Sequence, residues 1–185
     1  AIVVGVLDVF TAFDEMLHEF LDLANDSNKV DINTRIATLN DYCHKCATIK
    51  LNHAGQTAPF RFKRGGWQGG VRNPYEVNNV MKFILGDLVT MWTIFEQGFQ
   101  INDDNQHNDE DEDNDDDDTR RTNINHLVWA DNLIIFANSE QQLQSMIDDV
   151  TTNLHLAGFR WKPTSLEVLA GGSLINETIN VTTTD

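Results

Sequence analysis

Two aspartates distant in the chain each close an apolar run, Asp8 in GVLDVF and Asp131 in INHLVWADNLIIF. One carboxylate at a strand end says little. Two brought side by side in a sheet make a set of hard oxygen donors suited to magnesium or manganese, which need few protein carboxylates when substrate phosphates fill the remaining positions. The chemistry open to such a pair is metal-assisted in-line transfer at phosphorus, with one ion activating the nucleophile and the other stabilising the leaving oxygen. Asp8 and Asp131 are therefore the candidate catalytic and metal-binding residues, and Asn132 offers a further, neutral oxygen. Taken singly, Asp8 reads as a surface acid at a strand end and Asp131 as a turn residue.

The pair needs a sheet to hold it. AIVVGVLD reads as a buried strand, and the run before Asp131 returns as Leu133-Ile134-Ile135-Phe136 after a turn at Asp131-Asn132. Met16, Leu17, Phe20, Leu21 and Leu23 form a helical stripe in DEMLHEFLDLA, NDSNKVDINT breaks it, and RIATLNDYCHKCA resumes a helix. Two strands around His53-Ala54-Gly55-Gln56 follow. From Pro74 a long helix is expected, with Val77, Val80, Met81, Ile84, Leu88, Met91 or Trp92, and Phe95 at three- and four-residue spacing, ended by Gly98. Ser139-Glu140-Gln141-Gln142 is a capping-box pattern for a helix with Leu143, Met146, Ile147, Val150 and Leu154 on one face, stopped at Gly158. Strands are expected in FRWKP, SLEVLAG and ETINVTTT. The order predicts an α+β domain, an antiparallel sheet backed by helices.

The formal charge of −16 argues against nucleic acid as a partner, but its distribution weakens the objection. Eleven acids and no base lie in residues 103–118, a run too polar to form a core, so a disordered acidic insertion is expected over 102–125. The remainder is only mildly acidic, and Arg61, Lys63, Arg64 and Arg72 cluster around GGWQGG. The acidic run lacks the central Gly and spaced final Glu of a calcium loop. Cys43 and Cys46 have the spacing of half a zinc site, with His44 and His53 nearby, but no second cysteine pair follows, and two reduced thiols on a helix are expected. A chain of 185 residues supports one domain with a core. It opens on Ala and enters a strand at once, which suggests a fragment or processed product. With no basic flank on that apolar run, it is expected to be intracellular, in nucleus or cytoplasm, with no membrane span.

Four segments in order, LDVFTAFD, GGWQGG with Pro74, Tyr75 and Asn78, WADN, and AGFRWKPTSLEVLAGG, resemble the palm motifs of reverse transcriptases, most closely those of non-LTR (LINE-type) retrotransposons. The resemblance covers nearly the whole chain, and the ordered set is far more specific than any one motif. It implies a palm fragment over residues 1–185 with a split βαβ-like design, and RNA-directed DNA synthesis by two-metal nucleotidyl transfer. The implied cofactor is Mg2+ (or Mn2+) on Asp8, Asp131 and Asn132; the implied partners are an RNA template, a DNA primer and deoxynucleoside triphosphates. By the same resemblance Phe13 lies under the incoming sugar, where its ring excludes a 2′ hydroxyl. Gln68, Gly69 and Arg72 contact the nucleotide and templating base.

The chain departs from the family pattern in three places. Asn132 replaces the second acid, Val71-Arg72-Asn73-Pro74 replaces a Ser-Pro context, and Ser165 stands where a lysine is usual, with Lys162 three residues early. These residues contain no counterpart of the family's fingers and thumb, so the isolated chain is expected to be inactive. Two other readings compete: a decayed, non-catalytic palm serving as a structural or RNA-associated module, and an acidic interaction protein, for calcium or histones, built around residues 103–118.

Overall fold

A computed structural model describes residues 2–44, 46–52, 55–66, 69–102, 121–171 and 179. Gln68, the acidic residues 103–118, His53, Ala54 and nearly all of ETINVTTT lie outside these.

The chain begins with β1 (Ile2–Asp8), then α1 (Ala12–Glu15), α2 (His18–Ser27) and α3 (Ile32–Cys43). Four short strands follow: β2 (Cys46–Ala47), β3 (Lys50–Leu51), β4 (Gly55–Gln56) and β5 (Phe60–Arg61). The long α4 (Asn73–Ile94) leads to β6 (Phe99–Asn102), β7 (Arg121–Ile124), β8 (His126–Trp129), β9 (Asn132–Ala137), α5 (Glu140–Leu156) and β10 (Glu167–Gly171).

The principal sheet has four strands in the order β10-β1-β9-β8, and every neighbouring pair is antiparallel. By that order β1 and β8 run parallel with β9 between them and α4 in the connection. Likewise β9 and β10 run parallel with β1 between them and α5 in the connection. Two interleaved split βαβ units make a ferredoxin-like βαββαβ core, as the α+β expectation required.

Alternation along the strands sorts the two faces. Val3, Leu7, Leu133, Ile135 and Ala137 are buried beneath the helices, with Leu143, Met146, Ile147, Val150 and Leu154 of α5 and Val77, Val80, Met81 and Ile84 of α4. Gly5 faces α5 so closely that a β-carbon there would lie 3.1 Å from Leu143 Cδ1. On the opposite face stand Val4, Val6, Ile134 and Phe136, half-buried, and Asp8 at the end of the row.

Several local expectations shift. The stripe from Met16 to Leu23 is not one continuous helix: α1 ends at Glu15, Met16 and Leu17 lie in the break before α2, where Leu17 is extended and pairs with Arg64, and Leu23 faces solvent. α3 starts three residues before Arg35, capped by Asp31, whose side chain accepts from Asn33 N and Thr34 N. Of Met91 and Trp92, Trp92 is the core residue, and α4 ends at Ile94, before Gly98. Residues 121–124, expected within the insertion, form β7 on β6, pairing Arg121 with Asn102. Cys46 is exposed in β2, so the two thiols do not share a helix. Ser139 caps α5 by accepting from Gln142 N at 3.1 Å, while Gln142 Oε1 accepts from Asn138 N. Among the described residues, no helix is long and apolar enough to cross a membrane.

Candidate active site

Asp8 is the last residue of central strand β1, and its cross-strand partner on β9 is Asn132. Both project onto the sheet face away from the helices, so their β-carbons stand about 4.5–5.5 Å apart. The hairpin turn is one residue earlier than the sequence suggested. Trp129 pairs with Asn132, leaving Ala130 and Asp131 as the two turn residues. Ala130 takes φ 54°, the left-handed geometry that tight hairpins need, in place of the more usual Asn or Gly. Asp131 is thus in the turn rather than on a strand. Its carbonyl accepts from Val9 N at 2.9 Å, which fixes the turn against the residue after Asp8.

Lys162 marks the meeting point of the two acids. Its Nζ lies 2.8 Å from Asp8 Oδ2, and its own N–H donates to the Asp8 carbonyl at 2.9 Å. The hydrogen bond and charge of Asp8, reinforced by the charge of Asp131, hold the Lys162 ammonium above its ordinary pKa. Sequence reading placed this lysine three residues from its usual position. In the structure it lies beside Asp8 because Trp161 bridges Val9, continuing the strand contact past Asp8. The signal lay in the alternation of FRWKP, which points Trp161 inward and Lys162 outward. Beyond this pair the acids do not multiply: among the described residues no group of three or more His, Cys, Asp or Glu could hold a metal ion. Two carboxylates, an amide and open space suit a hard divalent ion that completes its shell with substrate oxygens, and a lysine ammonium on Asp8 shows that the position already attracts a cation.

Phe13 follows a tight bend in which Thr11 has φ 43°, and it is half-buried against the core. It borders a cavity of about 910 Å³ with Pro74, Asn78 and Ala130, so residues of three of the motifs meet around one space. The Gly-rich loop is tied to the same place: Gly65 N donates to Met16 O at 2.8 Å and Gly66 N to Phe13 O at 2.6 Å. Gly69, at φ 81°, is open on all sides. Of the basic residues nearby, Arg64 pairs with Glu15 at 2.7 Å and Arg72 lies 3.8 Å from Asp41, so part of their charge is already countered.

Behind the loop sits a buried polar knot that the sequence did not signal. Tyr42 of α3 bonds Glu76 and lies 3.0 Å from Asn73 Oδ1, while His18 stacks on Tyr42 and reaches Gly65 O at 2.8 Å. Burial raises the Glu76 carboxyl above its ordinary value, against the opposing pull of Tyr42 and Arg72. The folded state therefore binds this proton more tightly than the unfolded state, and stability falls as pH rises above the ordinary value of 4.5 until the folded pKa is passed. Glu76→Gln lacks that loss. In urea melts from pH 4 upward, the stability of Glu76→Gln relative to the parent is expected to increase with pH; a pH-independent difference would contradict a raised Glu76.

No protein-family model matches the chain, and no curated protein matches it. Among solved structures it is similar to an apo telomerase from Candida tropicalis truncated from the C-terminal domain, with a TM-score of 0.58 at 14% identity. The match covers 93% of this chain and 32% of the telomerase chain. At that identity the likeness is one of architecture alone: the chain shares an α+β fold with that structure.

Proposed function

We propose that this chain is the palm of a LINE-type reverse transcriptase, an RNA-directed DNA polymerase that joins a deoxynucleoside triphosphate to a DNA primer on an RNA template. The observation that carries the reading is the convergence of Asp8, Asp131 and Lys162 at one end of the central strand pair. Asp8 and Asp131 would hold Mg2+ (or Mn2+), with Asn132 as a neutral third donor. When bound, the ions lower the charge on the transferring phosphate and activate the primer 3′ oxygen. That oxygen bonds to the α-phosphorus as the bond to pyrophosphate breaks. Asp8 on β1 and Asp131 in the β8–β9 turn present their carboxylates at fixed places, where the ions they would hold would in turn draw the phosphates in. Lys162 keeps its proton at Nζ beside Asp8 and supplies positive charge there before substrate arrives. On this reading the Phe13 ring would meet the sugar, and Gly69 and Arg72 would meet the base and phosphates.

A second reading, a palm retained without catalysis, is favoured by one observation: the side chain directly opposite Asp8 is the uncharged Asn132. Magnesium titration and primer extension on an RNA template, for the chain and for Asn132→Asp, separate the two. A working site binds magnesium in both forms, several-fold more tightly in Asn132→Asp because a charge is added beside the ion. Extension by the chain alone is expected to be slight, since positioning supplies much of the rate. Absence of magnesium binding in both forms would leave the non-catalytic reading.

A further inference from the structure

We propose that the two-stranded arm built by β2–β5, with the cleft between its base and α2, binds single-stranded nucleic acid, one base entering the cleft and the phosphates following the arm. This surface shares no residue with the metal site or the nucleotide cavity. Charge distribution points to it first. Residues 42–75 hold six of the chain's thirteen Lys and Arg and no Asp or Glu, in a chain whose formal charge is −16. A basic stretch so segregated is the electrostatic footprint of a phosphate partner.

The arm sorts those charges. Close to the Gly-rich loop, Arg64 and Arg72 are countered by Glu15 and Asp41. Out on the arm, Lys50, Arg61 and Lys63 are exposed and make no ion pair with a described residue. Cys46 pairs with Arg61 and Lys50 with Gln56, so the cations lie at both the base and the outer part of one ribbon. Phe60 and Phe62 stand beside them, half-exposed, with ring centroids 5.4 Å apart in an edge-to-face pair. Cations interleaved with exposed rings suit a single strand, whose phosphates take the charges and whose unpaired bases take the rings.

The cleft specifies the base. A cavity of about 690 Å³ opens where the base of the arm meets α2 and α3, within the size range of small-molecule sites. Phe62, Leu23 and Leu39 give it apolar walls for the faces of a ring, and Arg61 and Lys63 border it. Glu19 and Asp22 line the α2 side. Asp22 is held by Arg35 at 3.0 Å, whereas Glu19 makes no ion pair with a described residue and is left to accept from a base amino group. A carboxylate accepts from the amino group of cytosine, and uracil or thymine carries a carbonyl in its place. A duplex keeps its bases paired and stacked, so only an unpaired strand can reach Phe62.

The test is fluorescence anisotropy of short labelled oligocytidines, as RNA and as DNA, on the whole chain at low salt with EDTA present. Micromolar binding by a single strand is expected, and the stronger of the two sugars names the source. Phe62→Ala should weaken it about fivefold or more. Arg61→Ser with Lys63→Ser should weaken it and lower the salt slope by about 1.4. Glu19→Gln should erase the preference for oligocytidine over oligouridine. These side chains are exposed, so unchanged melting is expected for every variant. The proposal is overturned if no single strand binds, if a duplex binds as tightly, or if binding ignores Phe62→Ala or the paired serine change. It is equally overturned if polyglutamate displaces the strand and binds independently of Phe62, the mark of an acidic protein partner. Because magnesium is absent and the variants should leave magnesium affinity unchanged, failure here is separate from failure of the metal site.

Discussion

Asp8→Ala and Asp131→Ala are each expected to weaken magnesium binding by about tenfold or more, a loss of at least 1.4 kcal/mol, and the double variant is expected to lose little beyond the worse single one. Both effects follow from one shared ion site, since ligands that act as a unit are not additive. Lys162→Met supplies the control. Its ammonium sits 2.8 Å from Asp8 Oδ2 and competes for the place an ion would take, so removing it should tighten magnesium binding several-fold. A nonspecific surface acid would respond weakly to all three changes. Calorimetric titration at fixed ionic strength reads each; loss of binding in Asp131→Ala with none in Asp8→Ala would break the shared site.

The second large effect belongs to the loop that frames the site. Gly65→Ala is expected to destabilise the chain by about 2 to 4 kcal/mol, a fall in Tm of about 5 to 15 °C. The residue adopts φ 82°, and a β-carbon there would lie 2.6 Å from the backbone oxygen of Asp14. That neighbour cannot swing aside as a long side chain would. Relief requires moving the loop away from Met16 and Phe13, which breaks the bonds from Gly65 N and Gly66 N that fix it. Nucleotide affinity should therefore fall with stability. Gly69→Ala isolates the conformational component: its φ of 81° is as strained for alanine, but a β-carbon meets nothing, so about 1 kcal/mol is expected. Equal losses at both positions in thermal melts would refute the steric argument.

What the sequence made legible was whatever rests on local periodicity. The continuous apolar runs AIVVGVLD and LIIF located the central strand pair, and the spacing of Leu143, Met146, Ile147, Val150 and Leu154 located α5 and its buried face. Motif order placed Asp8 near Asp131. The one-residue error at the turn arose because Ala130, not Asn132, takes the left-handed conformation, and alanine gives no warning of it. The Lys162–Asp8 pair was not legible because counting along the chain does not show the Trp161–Val9 bridge that sets the lysine beside Asp8. The knot of Tyr42, Asn73, Glu76 and His18 was invisible for a related reason. Its members lie on α2, α3 and α4, and only tertiary packing brings them together.

The most direct test of the account is a crystal structure of the chain with magnesium and a deoxynucleoside triphosphate. The account predicts an ion about 2.0 to 2.1 Å from an oxygen of both Asp8 and Asp131, with Lys162 displaced from Asp8 toward the phosphates and the sugar resting on Phe13. An ion held by the triphosphate alone, with Lys162 still on Asp8, or nucleotide bound away from the β8–β9 turn, would contradict it.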